Sequence, residues 1–398
     1  MNVFAESVDS IIPKVKEWRR HLHEYPEASF EEFETTEYII EQIKDLPGVT
    51  YERVAATGVV ARLSGDKPGP TIALRADIDA LRMPEESGVP FTSKRPGIMH
   101  ACGHDTHTAM LLGAVHVLAE NKKNVSGSFV FIFQAAEEYF PGGAKELVQK
   151  GVMDGVDAII GQHAAPQYSV GHIGVREGYM TANSDCFGIT IQGSGGHGSA
   201  PENCLDPIPV AAQLVTALQQ IVSRQIPAKE TAVLTVTQLH AGTADNVIPD
   251  TAVIRGTVRT YSEKNRQLIA DHIQHIAQAY ADAFGMTAVC EYQTGYNFLY
   301  NTPEYTRELV AAANELYGPD TVIEMDPGMG GEDFSQYLTK APGCFYFVGM
   351  GNDKLGYTYP THSTKFRIDE NAFSIGINIM LNSAMKFQQL VKNIKKEK

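Results

Sequence analysis

The sequence predicts an α/β protein with a mixed, largely parallel sheet, interrupted by an inserted ferredoxin-like α+β domain. Three observations carry this. Short apolar strands alternate with amphipathic helices up to about residue 180 and again beyond 297, the rhythm of a sheet joined by crossover helices. Between 181 and 296 the order becomes strand, helix, strand, strand, helix, strand, which is the ferredoxin-like arrangement. The length, 398 residues, exceeds what one hydrophobic core usually organises. The expected division is therefore 1–180 with 297–398 as one domain and 181–296 as the other.

Taken in order, apolar positions in residues 8–22 recur at helical spacing. Pro26 ends that helix, and a second amphipathic helix follows. His21 and His23, beside the helix end and the proline, read as structural. Residues 59–63 and 71–75 read as strands separated by the turn SGDKPGP. The second strand runs into RADIDAL, which places Arg75, Asp77 and Asp79 around its C-terminal end. In an open α/β sheet, ligands bind at that end. Residues 128–134, SFVFIFQ, form a continuous apolar strand suited to burial on both faces. The strand delivers Glu137 and Glu138, in AAEEYFPGGA, to the same edge. Adjacent carboxylates there are costly unless a positive charge meets them. A short strand at 158–160 is followed by GQHAAP with His163. The last part holds a helix over 303–317, the turn PGMGGEDFS, the apolar strand CFYFVGMG, the loop YTYPTHST with His362, and a final helix from about 370 to 392.

Composition narrows the partners. A net charge of -14 argues against a phosphate-backbone partner, because nucleic-acid binders present a basic face. No stretch approaches the length and apolarity of a membrane span, and the first residues lack a basic region followed by an apolar run. The expectation is a cytoplasmic protein with neither a nucleic-acid nor a membrane partner. Five scattered cysteines, Cys102, Cys186, Cys204, Cys290 and Cys344, do not form a secreted disulfide framework.

The densest chemistry lies in MHACGHDTH, residues 99–107, with one thiol and three imidazoles in nine positions. A thiolate and an imidazole two residues apart, Cys102 and His104, suit zinc or a similar transition metal better than calcium or magnesium. The competing reading is core packing for the cysteine and helix capping for the histidine. His100 and His107 default to structural roles. Cys102, His104, Glu138, His163 and His362, each at a strand end or in a following loop, make five ligand candidates. That is too many for one tetrahedral ion with an open position, and it fits two ions sharing a bridging group. Glu137, beside a ligand but pointing differently along an extended chain, is the natural carboxylate for proton transfer.

With those residues placed, the chain resembles the aminoacylase/carboxypeptidase family of two-metal hydrolases. It is most similar to the branch of hippurate hydrolases, bacterial N-acyl-amino-acid amidohydrolases and plant auxin-conjugate hydrolases. The likeness runs in order through RRHLHEYPEASFEE, RADIDAL, MHACGHDTHTAMLLG, QAAEEYFPGGA, GQHAAP, GSGGHGSAP, DNVIPD, RGTVRT, MGGEDFS and YPTHST. The resemblance implies that 1–180 and 297–398 form the catalytic domain and 181–296 a lid and dimerisation domain. It implies that Cys102 bridges two divalent ions, with His104 and His163 serving one and Glu138 and His362 the other. Zinc or manganese is expected, with cobalt and nickel admitted. Asp77 would orient a ligand, and Arg75 would make a structural salt bridge. His197, in GGHGSAP, resembles a histidine that stabilises the transition state, often from the partner of a homodimer or dimer of dimers. Asn246 and Arg259 resemble residues that hold the substrate carboxylate. Arg255 lies four residues before Arg259 on one predicted strand, so alternation puts both on one face, and only motif spacing selects Arg259. Gly331 resembles a point of backbone approach to substrate, though it also reads as an ordinary turn glycine.

The implied reaction is hydrolysis of the amide of an N-acyl-L-amino acid to a carboxylic acid and a free amino acid. Glu137 would remove a proton from water and return it to the leaving nitrogen. N-acetyl-diaminopimelate and N-acetyl-cysteine deacetylases belong to the same branch, and a dipeptidase or carboxypeptidase is a further alternative. A cysteine hydrolase with Cys102 as nucleophile leaves Glu138, His163 and His362 unexplained. A binding protein without catalysis leaves Glu137 unexplained.

Overall fold

The computed structural model describes residues 2–397, the side chain of Asn124 excepted. The chain forms two compact units. One comprises residues up to Met180, Tyr300–Asp326 and the stretch from Asp333 onward; the other comprises Thr181–Leu299 and Pro327–Glu332.

The first unit is built on an eight-stranded mixed sheet in the order Val49–Glu52, Val59–Ser64, Ser126–Gln134, Lys67–Asp77, Ala158–Ser169, Gly343–Gly351, Ile173–Val175, Val322–Glu324. The four strands from Ser126–Gln134 to Gly343–Gly351 are mutually parallel, so their carboxyl ends reach one edge. Antiparallel pairs flank them. Phe129, Phe131 and Phe133 on one face of the strand Ser126–Gln134 and Val130 and Ile132 on the other are all buried, as a strand covered on both faces requires.

Helices Ala5–Glu24, His104–Glu120 and Phe373–Glu397 pack on one another, and the last two also pack on the sheet. The helix His104–Glu120 is buried on all sides, which suits its apolar composition all round. At Gly113 an added Cβ would come within 2.8 Å of Ile377 and 2.9 Å of Val15, so the glycine permits the three-helix crossing. Among the described residues, no helix is long and apolar enough to cross a membrane.

One local expectation is corrected. The strand expected at 158–160 runs as Ala158–Ser169, and His163 lies within it, not after its end. The extension follows from pairing: His163 is opposite Phe347 in the strand Gly343–Gly351, and the register continues through Ala164 and Ala165. His104 likewise opens a helix and does not sit in the loop.

In the second unit a four-stranded antiparallel sheet has the order Ala232–Ala241, Thr251–Thr260, Asn183–Gln192, Thr287–Tyr296. With the helices Pro207–Gln220 and Glu263–Ala283 between the strands, this is the ferredoxin-like order. Asp206 caps the first helix through the amide of Ile208, and Ser262 the second through that of Asn265. Phe187, Ile189, Ile191, Ile254 and Val258 form one apolar core with Val210, Leu214, Ile269 and Ile273 from the helices. Pro327–Glu332, outside the expected range 181–296, joins this unit because the Gly328 carbonyl accepts from the Ala182 amide at 3.1 Å and the Tyr261 hydroxyl at 2.8 Å.

Asp185 is the polar centre of that unit. It is 1 % exposed and accepts from Arg266 Nε at 2.8 Å, the Tyr292 hydroxyl at 2.7 Å and the Gly295 amide at 2.8 Å. Arg266 Nη2 completes a bidentate pair. Removing one partner of such a pair leaves an uncompensated buried charge. Asp185→Ala is expected to cost about 3 kcal/mol, read as a lower midpoint in thermal or urea unfolding; an unchanged midpoint would show the pair to be dispensable.

Candidate metal centre

The loop before the buried helix sets the first two side chains. Gly103 separates Cys102 from His104 with φ +92°, and a Cβ there would meet Ala164 at 2.8 Å. Only glycine gives this turn both its backbone and its room. The Ala101 carbonyl accepts from the His362 amide at 2.8 Å, which ties the loop carrying His362 to the one carrying Cys102. His362 and Ala136 both have positive φ, 64° and 54°. Such conformations for non-glycine residues concentrate where surrounding structure fixes them for function.

The three candidate histidine ligands share one orientation. His163 directs Nδ1 to the Ala164 carbonyl at 2.8 Å and Nε2 to Cys102 Sγ at 3.3 Å. His104 directs Nδ1 to the Asp79 carbonyl at 3.0 Å and its carboxylate at 3.1 Å, while Nε2 lies 3.9 Å from Glu138 Oε1. His362 Nε2 is 3.2 Å from the same Glu138 oxygen. A carbonyl can only accept, so Nδ1 of His104 and of His163 carries the proton, and a neutral ring keeps its lone pair at Nε2. His104 Nε2 and Glu138 Oε1 are buried and lack a hydrogen-bond partner. Buried polar atoms converging in this way, 3.9 Å from one another, are what a bound cation would satisfy once the His104 ring gives up its Nε2 proton.

Among the groups whose ligand atoms lie within 4.8 Å of one another are Cys102 with His104 and His163, Cys102 with Glu138 and His362, and Asp77 with His104 and His107. Cys102 is common to the first two. Glu137, 7 % exposed, groups in the same way with His104 and Glu138. The electrostatics agree with a centre short of positive charge. Burial raises the Cys102 thiol well above its ordinary range, and Glu138, Glu137 and Asp77 add to it. Burial opposes protonation of His104, but Asp77 and Asp79 outweigh it and move the imidazole up to about 10. His163, buried beside His107, is pushed well down.

Asp77, expected to orient a ligand, has its own hydrogen bonds to other groups and lies 3.7 Å from His104 Nε2. It accepts from Arg75 Nη1 at 2.6 Å and pairs with His107 Nδ1 at 2.5 Å. His107 in turn accepts from the Ala164 amide at 2.7 Å, so Asp77 supports the strand beside His163 through a structural histidine. Arg75 also binds Asp333 at 2.8 Å, in a fully buried pair of ion pairs. The carboxylate on His104 is that of Asp79, two residues further along RADIDAL. His100 is 1 % exposed with neither ring nitrogen hydrogen-bonded.

The expected substrate residues fall in the second unit in two pairs. His197 is opposite Val247, and the Gly198 amide donates to the Asn246 carbonyl at 2.8 Å, so His197 and Asn246 are neighbours. His197 Nδ1 accepts from the Ser199 amide at 3.1 Å, which leaves an exposed Nε2–H as donor in the neutral ring. Arg259 is opposite Ser184, and a Cβ on Gly331 would meet Ser184 Oγ at 2.6 Å. The Arg259 guanidinium touches the carbonyls of Asp185 and Val258 and the Thr257 hydroxyl, and no carboxylate pairs with it among the described residues. Arg255 is exposed on the same face.

One support of the centre titrates near neutrality. Glu32 is buried, accepting from the Ala136 amide at 2.8 Å and the Thr57 hydroxyl at 2.8 Å. Burial, aided by Asp79, raises its carboxyl from the ordinary value to about 7, against those two hydrogen bonds. The folded state therefore holds a proton that the unfolded chain releases near pH 4.5, so stability falls as pH rises from there to 7. Glu32→Gln is expected to match the parent near pH 4.5 and to exceed it above pH 7 by on the order of 2 kcal/mol, seen as a melting-temperature difference that opens with pH. A pH-independent difference would contradict this.

Comparison with known proteins fits this geometry. The sequence profile of Peptidase family M20/M25/M40 matches residues 73–386. The chain is 40% identical over 390 residues to thermostable carboxypeptidase 2 of Saccharolobus solfataricus, covering 96% of this chain and 98% of that one. It is 45% identical over 297 residues to an N-acyl-L-amino acid amidohydrolase of Geobacillus stearothermophilus, covering 75% and 80%. The crystal structure of the Bacillus subtilis YXEP protein, a dinuclear metal binding peptidase from the M20 family, superposes with a TM-score of 0.83 at 35% identity, covering 96% of this chain and 99% of that one.

Proposed function

The chain belongs to peptidase family M20/M25/M40 and is an amidohydrolase; from that premise we propose that it cleaves the amide of N-acyl-L-amino acids with two divalent ions. The observation that carries the reading is the pair of ligand groups sharing Cys102, with the buried His104 Nε2 lacking a hydrogen-bond partner. The donor set fits two ions of the zinc, manganese, cobalt or nickel kind, zinc or manganese first. His104 and His163 would hold one, Glu138 and His362 the other, and Cys102 both. Bound there, the ions supply Lewis-acid charge that makes water nucleophilic at neutral pH and polarises the acyl carbonyl.

The remaining steps belong to the protein. Glu137 takes the proton of the attacking water and gives it to the departing nitrogen. His197 offers its Nε2–H to the oxyanion, delivered in this reading by the partner chain of a homodimer. Arg259, without a carboxylate of its own, holds the substrate α-carboxylate in a bidentate pair, with Asn246 beside His197 assisting. Gly331, whose missing side chain lets its backbone lie close against Ser184, would present that backbone to the substrate. N-acetyl-cysteine and N-acetyl-diaminopimelate are substrates of the same chemical type, and a cytoplasmic location suits such metabolites.

Similarity to a carboxypeptidase favours a second reading, release of a C-terminal amino acid from a peptide. Both reactions break an amide on the nitrogen of a residue with a free carboxylate, so Arg259 serves either. A panel of acyl-amino acids and peptides separates them. Glu137→Gln is expected to lower turnover by about 100-fold to 10,000-fold while metal content by elemental analysis stays that of the parent. Retained turnover would remove Glu137 from proton transfer.

A further inference from the structure

The carboxylate of Asp79 does something that neither motif spacing nor the ligand set assigns. Asp79 is 1 % exposed. One oxygen faces His104 Nδ1 at 3.1 Å; the other accepts from the Glu138 backbone amide at 3.0 Å and the Ser29 hydroxyl at 2.7 Å. A single side chain thus holds a ring opening the helix His104–Glu120 and the main chain of the turn after the strand Ser126–Gln134. Those two elements carry the candidate ligands His104 and Glu138, which the two-ion reading assigns to different ions.

We infer that Asp79 is the positioning residue that couples the two halves of the metal centre. The inference rests on the two-ion reading above. Through His104 it fixes the ring tautomer, so that Nε2 presents a lone pair toward Glu138. Through the Glu138 amide it sets the start of the peptide from which that side chain departs, on a turn where Ala136 already has positive φ. Glu32 holds the same turn from its other side through the Ala136 amide. Asp77 cannot substitute, because both its oxygens are engaged by Arg75 and His107.

The chemistry requires a carboxylate. Asp79 takes hydrogen bonds on both oxygens, whereas an asparagine offers one acceptor oxygen and turns an NH2 donor toward other donors. Asp79→Asn should therefore release either His104 or the Glu138 turn with almost no change in volume. Partners of ligating histidines typically contribute 10-fold to 100-fold in metal affinity.

The test is competitive titration of metal-depleted protein with zinc against a chromophoric chelator, together with absorption spectra of the cobalt-loaded forms. Expected for Asp79→Asn is a loss of at least about 10-fold in affinity for both equivalents, and altered cobalt ligand-field bands, with the melting temperature of the metal-free protein near that of the parent. Ser29→Ala, which removes a support without touching the charge, should weaken both equivalents by several-fold and carries the test if Asp79→Asn does not fold. Parent-like affinity in either folded variant, or loss of one equivalent alone, overturns the coupling. A parent protein that takes up no zinc or cobalt overturns the two-ion reading and the inference with it, a result separate from parent-like variants.

Discussion

Carboxylates are buried at the carboxyl edge of the parallel strands in a number that only positive charge can sustain. Asp77, Asp79, Glu137 and Asp333 are each at most 7 % exposed, and Glu138 stands beside them with one oxygen 3.2 Å from the His362 ring. Burying a carboxylate without a partner is prohibitively expensive. Arg75 answers part of the demand by bridging Asp77 and Asp333. Burial and the neighbouring carboxylates push the Cys102 thiol up, and Asp77 and Asp79 push the His104 imidazole up, so without a cation both groups favour their protonated forms. A cation displaces such protons and takes over their role.

That demand explains the arrangement around it. The helix His104–Glu120 is buried all round and starts at the site, so its first residue is placed by the whole core and not by a mobile loop. Gly103 lets the chain pass Ala164 closely enough for Cys102 to face His163. The hydrogen bond from the His362 amide to the Ala101 carbonyl brings in a residue some 260 positions away in sequence. A helix and a strand hold two of the candidate ligands, His104 and His163, and backbone hydrogen bonds tie together the loops that carry Cys102 and His362.

Much of this could be read from the chain, because ligand-type residues, apolar runs and period-two alternation are local properties. The fold class, the ferredoxin-like insertion and the residues that converge on Cys102 all belong to that kind. The choice between Asp77 and Asp79 does not. They are two apart, His104 and His107 are three apart on a helix, and either pairing satisfies both periodicities. The angle at which the helix meets the strand decides it, joining Asp79 to His104 and Asp77 to His107. Burial of Asp185 against Arg266 and the capture of Pro327–Glu332 by the second unit are hidden for the same reason, since both depend on partners distant in sequence.

The central claim is that one thiolate serves two metal ions, and metal stoichiometry tests it most directly. Native mass spectrometry of zinc-reconstituted parent and Cys102→Ala protein should give two ions for the parent and fewer than one for the variant, because both ligand groups lose their shared member. A variant that still holds two ions, or a parent that holds one, would contradict the account.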